Sequence, residues 1–239
     1  MNYALIFAGG TGQRMNSKTK PKQFLELHGK PIIIYTLEHF EQHKSIDGIV
    51  VACLESWIPY LETLLEKFHI TKVKKIVPGG NTTQQSIYNG VEILWNLAAP
   101  DSIVLVHDGV RPLINMDVIS NNIKSVQQFG NAITVSPVVE TVAIKGKDCE
   151  IGEIVNRSQC RLARAPQSFF LKDLYHAHQQ AKKEGKINFI DCASLMRYYG
   201  HKLMAVEGPI DNIKITTPSD FYIFRALEDA YEDSQIFGL

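Results

Sequence analysis

Residues 3–12 read YALIFAGGTG, an unbroken apolar run from Tyr3 to Phe7 that ends in Ala8-Gly9-Gly10. A short continuous apolar run closed by glycines is the pattern of a strand buried on both faces that turns sharply at its carboxyl end. The same unit recurs downstream. Ile49–Ala52, Val73–Val77, Ile103–Val106 and Ala132–Val135 are short β-branched runs with amphipathic stretches between them. Pro31 suits the first helical position of a helix over about 31–42. Ser56 can cap a helix to about Phe68, Thr82 or Thr83 a helix holding Ile87, Val91, Ile93 and Leu94, and Asn115 opens another. A repeated β-α unit predicts an α/β fold with a mostly parallel central sheet and helices on both faces. In open sheets of this kind ligands sit just beyond the carboxyl ends of the strands. The turns at 8–12, 78–81 and 107–111 are therefore predicted to share one edge and build one site.

The pattern changes over residues 138–164. This stretch has alternating character, a Lys145-Gly146-Lys147 turn and no helical period, and predicts a projecting β-arm. An extended arm on a compact domain calls for a partner surface, often in a dimer. Helices over about 171–184 and 192–199, a strand at 202–206 and a final helix from about 218 to 233 complete the reading. No composition shift marks a second domain, so residues 1–239 are expected to form one.

Composition narrows the function. The 239 residues carry 25 Lys+Arg against 25 Asp+Glu, a balance that argues against non-specific nucleic-acid binding while leaving room for a local basic pocket. No apolar run reaches the ~18 residues of a membrane span. The start lacks a basic segment and reads as a first strand, not a signal peptide. The four cysteines, Cys53, Cys149, Cys160 and Cys192, form no CxxC, which removes zinc-ribbon and thioredoxin readings and suits spectator thiols in a cytoplasmic protein.

Three strand ends and two further clusters carry candidate chemistry. After the first strand, Ala8, Gly9, Gly10 and Gly12 let backbone N–H groups approach an anion, with Arg14 and Lys22 placed to add two cations. The loop lacks the Walker A GxxxxGK[ST], and Met15 occupies the third glycine position of GxGxxG. A glycine turn with solvated cations is the bland alternative. Gly80, Asn81 and Ser86 offer backbone and side chains able to read a base edge, or an ordinary β-α turn. Asp108 can hold Mg²⁺ on phosphate oxygens and Arg111 can pair with a phosphate. His107 reads more readily as a packed histidine than as a general base. Asp211 and Lys214 add a second carboxylate and another cation, and Arg157, Arg161 and Arg164 lie in the arm. With no GxSxG elbow, HExxH or Cys/His set, phosphate chemistry by positioning and charge neutralisation fits best.

Taken together, AGGTGQRM (8–15), PKQF (21–24), GG…S (79–86), HDGVRP (107–112), ET (140–141), NR (156–157), PQSF (166–169), DCAS (191–194) and DNIKITTPSD (211–220) resemble the cytidylyltransferases that activate polyol phosphates with CTP. The resemblance covers nearly the whole chain. It implies a Rossmann-like nucleotidyltransferase fold, CTP over the 8–14 loop with its base near Gly80, Asn81 and Ser86, and Arg14 and Lys22 on the α-phosphate, with Lys214 as a further catalytic cation. It implies Asp108 with Asp211 at Mg²⁺, and Arg111, Thr141, Arg157 and Lys214 on the polyol phosphate. Thr141 and Arg157 would cross from the partner of a homodimer joined through the arm. The role of Arg164 stays open, on the substrate side. One branch of the family makes CDP-methylerythritol, the other CDP-ribitol for teichoic-acid-type polymers, often beside a reductase. The isoprenoid branch usually has ERxDS where this chain has Thr82–Ser86, Thr-Pro-Gln at Ala165-Pro166-Gln167, Thr-Asp at Ile190-Asp191 and HDAARP at 107–112. These departures are similar to the ribitol branch.

Overall fold

Both faces of the first strand are buried, Tyr3 and Leu5 on one side and Ala4, Ile6 and Ala8 on the other, and this organises the molecule. The structure is a computed structural model that describes residues 1–10 and 20–237. In chain order its elements are β1 (Asn2–Ala8), β2 (Glu26–Leu27), β3 (Lys30–Pro31), α1 (Ile32–Gln42), β4 (Gly48–Cys53), α2 (Ile58–Lys67), β5 (Val73–Pro78), α3 (Thr83–Leu97), β6 (Ile103–Asp108), α4 (Met116–Phe129) and β7 (Asn131–Pro137). They are followed by β8 (Val142–Lys145), β9 (Ile151–Val155), β10 (Arg161–Phe170), α5 (Leu171–Lys183), α6 (Cys192–Tyr198), β11 (Ala205–Glu207) and α7 (Pro218–Phe237).

Seven strands form one sheet in the order β11-β7-β10-β6-β1-β4-β5. Strand β1 runs parallel to β4 and β6, β4 to β5 and β11 to β7, whereas β10 is antiparallel to both its neighbours. Helices α1, α2 and α4 cover the face of Ala4 and Ile6, and α3, α5 and α6 cover that of Leu5. A smaller cluster joins Phe224 of α7 to Leu27, Ile32, Val110, Leu113 and Ile215. It ties the last helix to the segments around residues 22 and 214. The mostly parallel α/β sheet is as the sequence predicts.

Two predicted caps form. The Thr82 side chain accepts from the Gln85 N–H at 3.1 Å, and the Asn115 side chain accepts from the Val118 N–H at 2.9 Å. Ser56 does not cap. It lies inside a 3-10 turn, Glu55–Trp57, and α2 starts afterwards with Pro59 in its first turn. Pro31 sits one place before α1, in extended conformation, and not at its first helical position. The predicted strand at 202–206 is the shorter, later β11.

The predicted arm over 138–164 is a shorter hairpin. Only β8 and β9 project as a separate two-stranded ribbon, while residues from Arg161 onward belong to the main sheet. A proline inside a strand argues against a central position, because it cannot donate to the ladder. Here Pro166 falls in an irregularity where the pairing jumps from Ala163–Val135 to Gln167–Ile133. The Ala165–Pro166 peptide is cis. All four cysteines are free. Among the described residues no helix is long and apolar enough to cross a membrane.

Candidate active site

The ends of β1, β5 and β6 meet, as the β-α pattern requires. A Cβ on Gly79 would stand 3.0 Å from the Gly9 Cα, and one on Gly9 would stand 2.9 Å from the Ser86 Oγ, so these backbones approach more closely than side chains permit. The Gly109 N–H donates to the Phe7 carbonyl at 3.0 Å, joining the 107–111 turn to the 8–10 turn. Ser86 accepts from the Gly80 N–H and donates to the Thr82 carbonyl, each at 3.0 Å. Its hydroxyl therefore shapes the turn, and Asn81 beside it is exposed. Gly12 and Arg14 lie outside the described residues.

Lys22 opens a 3-10 turn, Lys22–Phe24, pinned from both sides. The buried Gln23 amide donates to the Ala8 carbonyl at 2.7 Å, and the fully buried Phe24 ring stacks on Trp57 at 4.9 Å. The Lys22 ammonium donates to the Ile215 carbonyl at 3.0 Å. Lys22 and the 214–217 segment are thus held together although far apart in sequence.

Asp108 ends β6 with 5% of its surface exposed. Its two oxygens hold two cations: Arg111 Nε donates to Oδ2 at 2.8 Å, and Lys214 Nζ lies 2.5 Å from Oδ1. Burial alone pushes this carboxyl's pKa up, but the Arg111 and Lys214 charges outweigh it and hold the group far below the usual carboxylate range. Arg111 also donates to the Asn212 carbonyl at 2.9 Å, and the buried Asn212 amide donates to the Ala165 carbonyl at 2.7 Å. His107 is a packed residue. It has no exposed surface, lies against Phe40, and its Nε2–H donates to the Arg111 carbonyl at 3.1 Å. Burial pushes its pKa down to about 3, so it is neutral and unsuited to cycling a proton at the site.

A cavity of about 200 Å³ opens beside this cluster. Its walls bring Phe7, Thr83 and Ile87 together with Asp108, Arg111 and Lys214 and with Arg164, Ala165, Gln167, Ile190, Asp191 and Cys192. Gln167 and Asp191 are polar members of this wall to which the sequence alone assigns no role. The Gln167 side chain donates to Asp191 Oδ2 at 2.9 Å and accepts from the Ala193 N–H at 2.8 Å. Asp191 in turn caps α6 in a reciprocal box with Ser194. The D-x-x-S spacing at 191–194 carried that capping signal, whereas nothing local linked it to Gln167. Asp211 does not line the cavity. Nor do Thr141 and Arg157: both are exposed at the base of the hairpin, where Arg157 donates to the Val139 carbonyl at 2.8 Å.

The model of one protein family, IspD: 2-C-methyl-D-erythritol 4-phosphate cytidylyltransferase, matches residues 3–228. The chain belongs to this cytidylyltransferase family. It is 52% identical over 238 residues to a ribitol-5-phosphate cytidylyltransferase of Vibrio parahaemolyticus serotype O3:K6, and 50% identical over 239 residues to one of Streptococcus agalactiae serotype III. Both matches span 100% of each chain. Among solved structures, the 4-diphosphocytidyl-2C-methyl-D-erythritol synthase of Anaerococcus prevotii superimposes with a TM-score of 0.81 at 26% identity, covering 95% of this chain and 96% of that one. As a cytidylyltransferase the chain is a CTP-dependent nucleotidyltransferase. Arg111, Lys214 and the Gly9 and Gly79 backbones stand at the carboxyl edge of the sheet, where ligands bind in open α/β folds.

Proposed function

We propose that this chain transfers the cytidylyl group of CTP to D-ribitol 5-phosphate, giving CDP-ribitol and pyrophosphate. The observation that carries this reading is the cavity beside Asp108, Arg111 and Lys214 in a chain half identical, end to end, to relatives named for ribitol 5-phosphate. Thr83, Ala165 and Ile190, which depart from the isoprenoid pattern, all line that cavity.

The step is an in-line displacement. A phosphate oxygen of the acceptor attacks the α-phosphorus of CTP, the new P–O bond forms, and the bond to the β-phosphate oxygen breaks. The acceptor phosphate is already ionised near neutral pH, so no general base is needed, in keeping with the neutral, buried His107. The residues' work is to align two anions that repel each other and to neutralise the charge that gathers between them. Arg14 and Lys22 serve the α-phosphate, with the backbone of Ala8, Gly9, Gly10 and Gly12 around the triphosphate. Gly80 and Asn81 serve the base through the turn that Ser86 shapes. Arg111 and Lys214 face the acceptor.

Mg²⁺ is part of the reading. Among the described residues no three His, Cys, Asp or Glu side chains gather into a cage. One carboxylate beside a polyphosphate site is nonetheless a usual Mg²⁺ arrangement, with phosphate oxygens and water completing the shell. Asp108 would be such a carboxylate, sharing its oxygens between the ion and the Arg111 and Lys214 cations, with Asp211 as a second; the bound ion would neutralise charge on the triphosphate. A homodimer through the hairpin is also part of it, supported by exposed Ile144, Ile151 and Ile154 on that ribbon. In the dimer Thr141 and Arg157 reach the neighbouring cavity. The product would feed a teichoic-acid-type polymer from the cytoplasm, with a reductase supplying ribitol 5-phosphate.

The test is pyrophosphate release with CTP and Mg²⁺, given ribitol 5-phosphate or 2-C-methyl-D-erythritol 4-phosphate in parallel. Turnover with ribitol 5-phosphate alone is expected. Turnover with the methylerythritol ester alone would keep the mechanism and reject the acceptor. Arg157→Ala is expected to raise the KM for ribitol 5-phosphate with little change in that for CTP. A defect confined to CTP would remove Arg157 from the acceptor site.

A further inference from the structure

The cavity's cations are not equivalent. Among the described residues its charged lining is Arg111, Arg164 and Lys214 against Asp108 and Asp191. Arg111 spends its Nε on Asp108 and one terminal nitrogen on the Asn212 carbonyl, and Lys214 spends its ammonium on Asp108. Arg164 differs. The one hydrogen bond of its guanidinium among the described residues runs from Nε to the neutral Ser136 hydroxyl at 3.0 Å, and it makes no ion pair among them. Both terminal nitrogens of its guanidinium are therefore left for a ligand. Burial and the nearby Arg111 charge both push its pKa down from the usual arginine value, the signature of a cation held half out of water beside another cation. Its position follows from the irregularity in β10, where the ladder breaks between Ala163 and Gln167 and re-aims the side chains in between.

We infer that Arg164 is the acceptor-phosphate clamp of this cavity: its uncommitted guanidinium fork takes the phosphomonoester of the polyol, while Arg111 and Lys214 are largely occupied with Asp108. Without Arg164 the described lining of one subunit balances two cations against two carboxylates, leaving only Arg157 of the partner subunit to favour a dianion. With it the cavity is electropositive. A planar fork matches phosphate oxygens two at a time, and the Ser136 hydroxyl steadies the fork without quenching its charge. This assignment rests on the acceptor reading above and goes beyond it by naming the group that selects a phosphate ester.

The experiment compares the unsubstituted enzyme with Arg164→Gln and Arg164→Lys. In steady-state turnover Arg164→Gln is expected to raise the KM for ribitol 5-phosphate about 10- to 100-fold, the scale of losing a charge-assisted hydrogen bond, with the KM for CTP within about twofold. Arg164→Lys is expected to recover part of that loss. An unchanged KM for the acceptor, or a rise in the KM for CTP instead, overturns the assignment. Thermal stabilisation separates a binding role from a structural one. Ribitol 5-phosphate should stabilise the parent more than free ribitol does, and Arg164→Gln should abolish that difference while its unliganded midpoint stays near the parent's. A difference that survives in Arg164→Gln also overturns it. Should the parent turn over only the methylerythritol ester, the ribitol reading fails while the clamp is judged by the same KM shift on that ester. The two failures are therefore distinct.

Discussion

Asp108→Asn is expected to lower stability by roughly 3–5 kcal/mol, the usual cost of stranding one partner of a buried ion pair, and to remove nearly all turnover. The side chain keeps its shape, so the change is one of charge alone. Arg111 is then left almost fully buried without its carboxylate, its side chain 10% exposed. Lys214 suffers less, because at 37% exposure it can turn toward water. That asymmetry places the expected loss toward the lower end of the range. The effect on turnover has two other origins: the same carboxylate holds both cations in register with the cavity, where misplacing catalytic groups by about 1 Å costs on the order of 10²-fold, and it is the proposed ligand of Mg²⁺. Urea unfolding should show a lower midpoint with an unchanged slope. Adding Lys214→Met to Asp108→Asn should cost less than Lys214→Met alone, since the pair is already broken. Additive losses, or a single variant as stable as the parent, would show that Asp108 does not organise the cluster.

How far this site is readable without coordinates depends on the distance in sequence between its parts. The β1, β5 and β6 turns were legible because each is announced locally, by an apolar run and then glycine, and because a parallel sheet brings such ends to one edge. The Thr82 and Asn115 caps were legible for the same local reason. Strand β10 was not, because Pro166 contradicts a central strand until the ladder irregularity that shelters it is seen. Without β10, the sequence puts Arg164 on the substrate side but leaves its role open, and gives Gln167 no role, although both line the cavity. Asp108 and Arg111 are three positions apart and their ion pair is local, but its extension to Lys214 joins Asp108 to a residue more than a hundred positions away. No local pattern encodes that contact. Asp211, picked for its charge, stands beside Asn212, whose buried backbone and amide connect Arg111 to Ala165. Charge draws attention to Asp211, whereas the bonds that tie Arg111 to Ala165 run through the neutral asparagine beside it.

Lys22→Ala is expected to reduce turnover by about 10²-fold or more, the scale of losing one preorganised charge donor at a developing anion, and Arg14→Ala to do likewise. Preorganisation is the central point for Lys22. Its backbone cannot drift, because Gln23 on one side is hydrogen-bonded to Ala8 and Phe24 beyond it is stacked on Trp57. Its ammonium is held at the Ile215 carbonyl, one residue from Lys214, so the two cations approach the reacting phosphates from one fixed frame. That frame is anchored by Asp220, whose carboxylate accepts from the Thr216 and Thr217 N–H groups at 2.8 and 2.7 Å. A charge held in place before the substrate arrives lowers the barrier without reorganising during the step. The loss in Lys22→Ala should therefore fall mainly on kcat, with the KM for CTP changing much less, because the stabilised charge is greatest in the transition state. Thermal unfolding should stay close to the parent's, since Gln23 and Phe24 continue to pin the segment. Near-normal turnover in both variants would sink the assignment of these cations to the α-phosphate. A rise in the KM for CTP at constant kcat would reduce Lys22 to a ground-state contact and move the burden of catalysis to the cluster around Asp108.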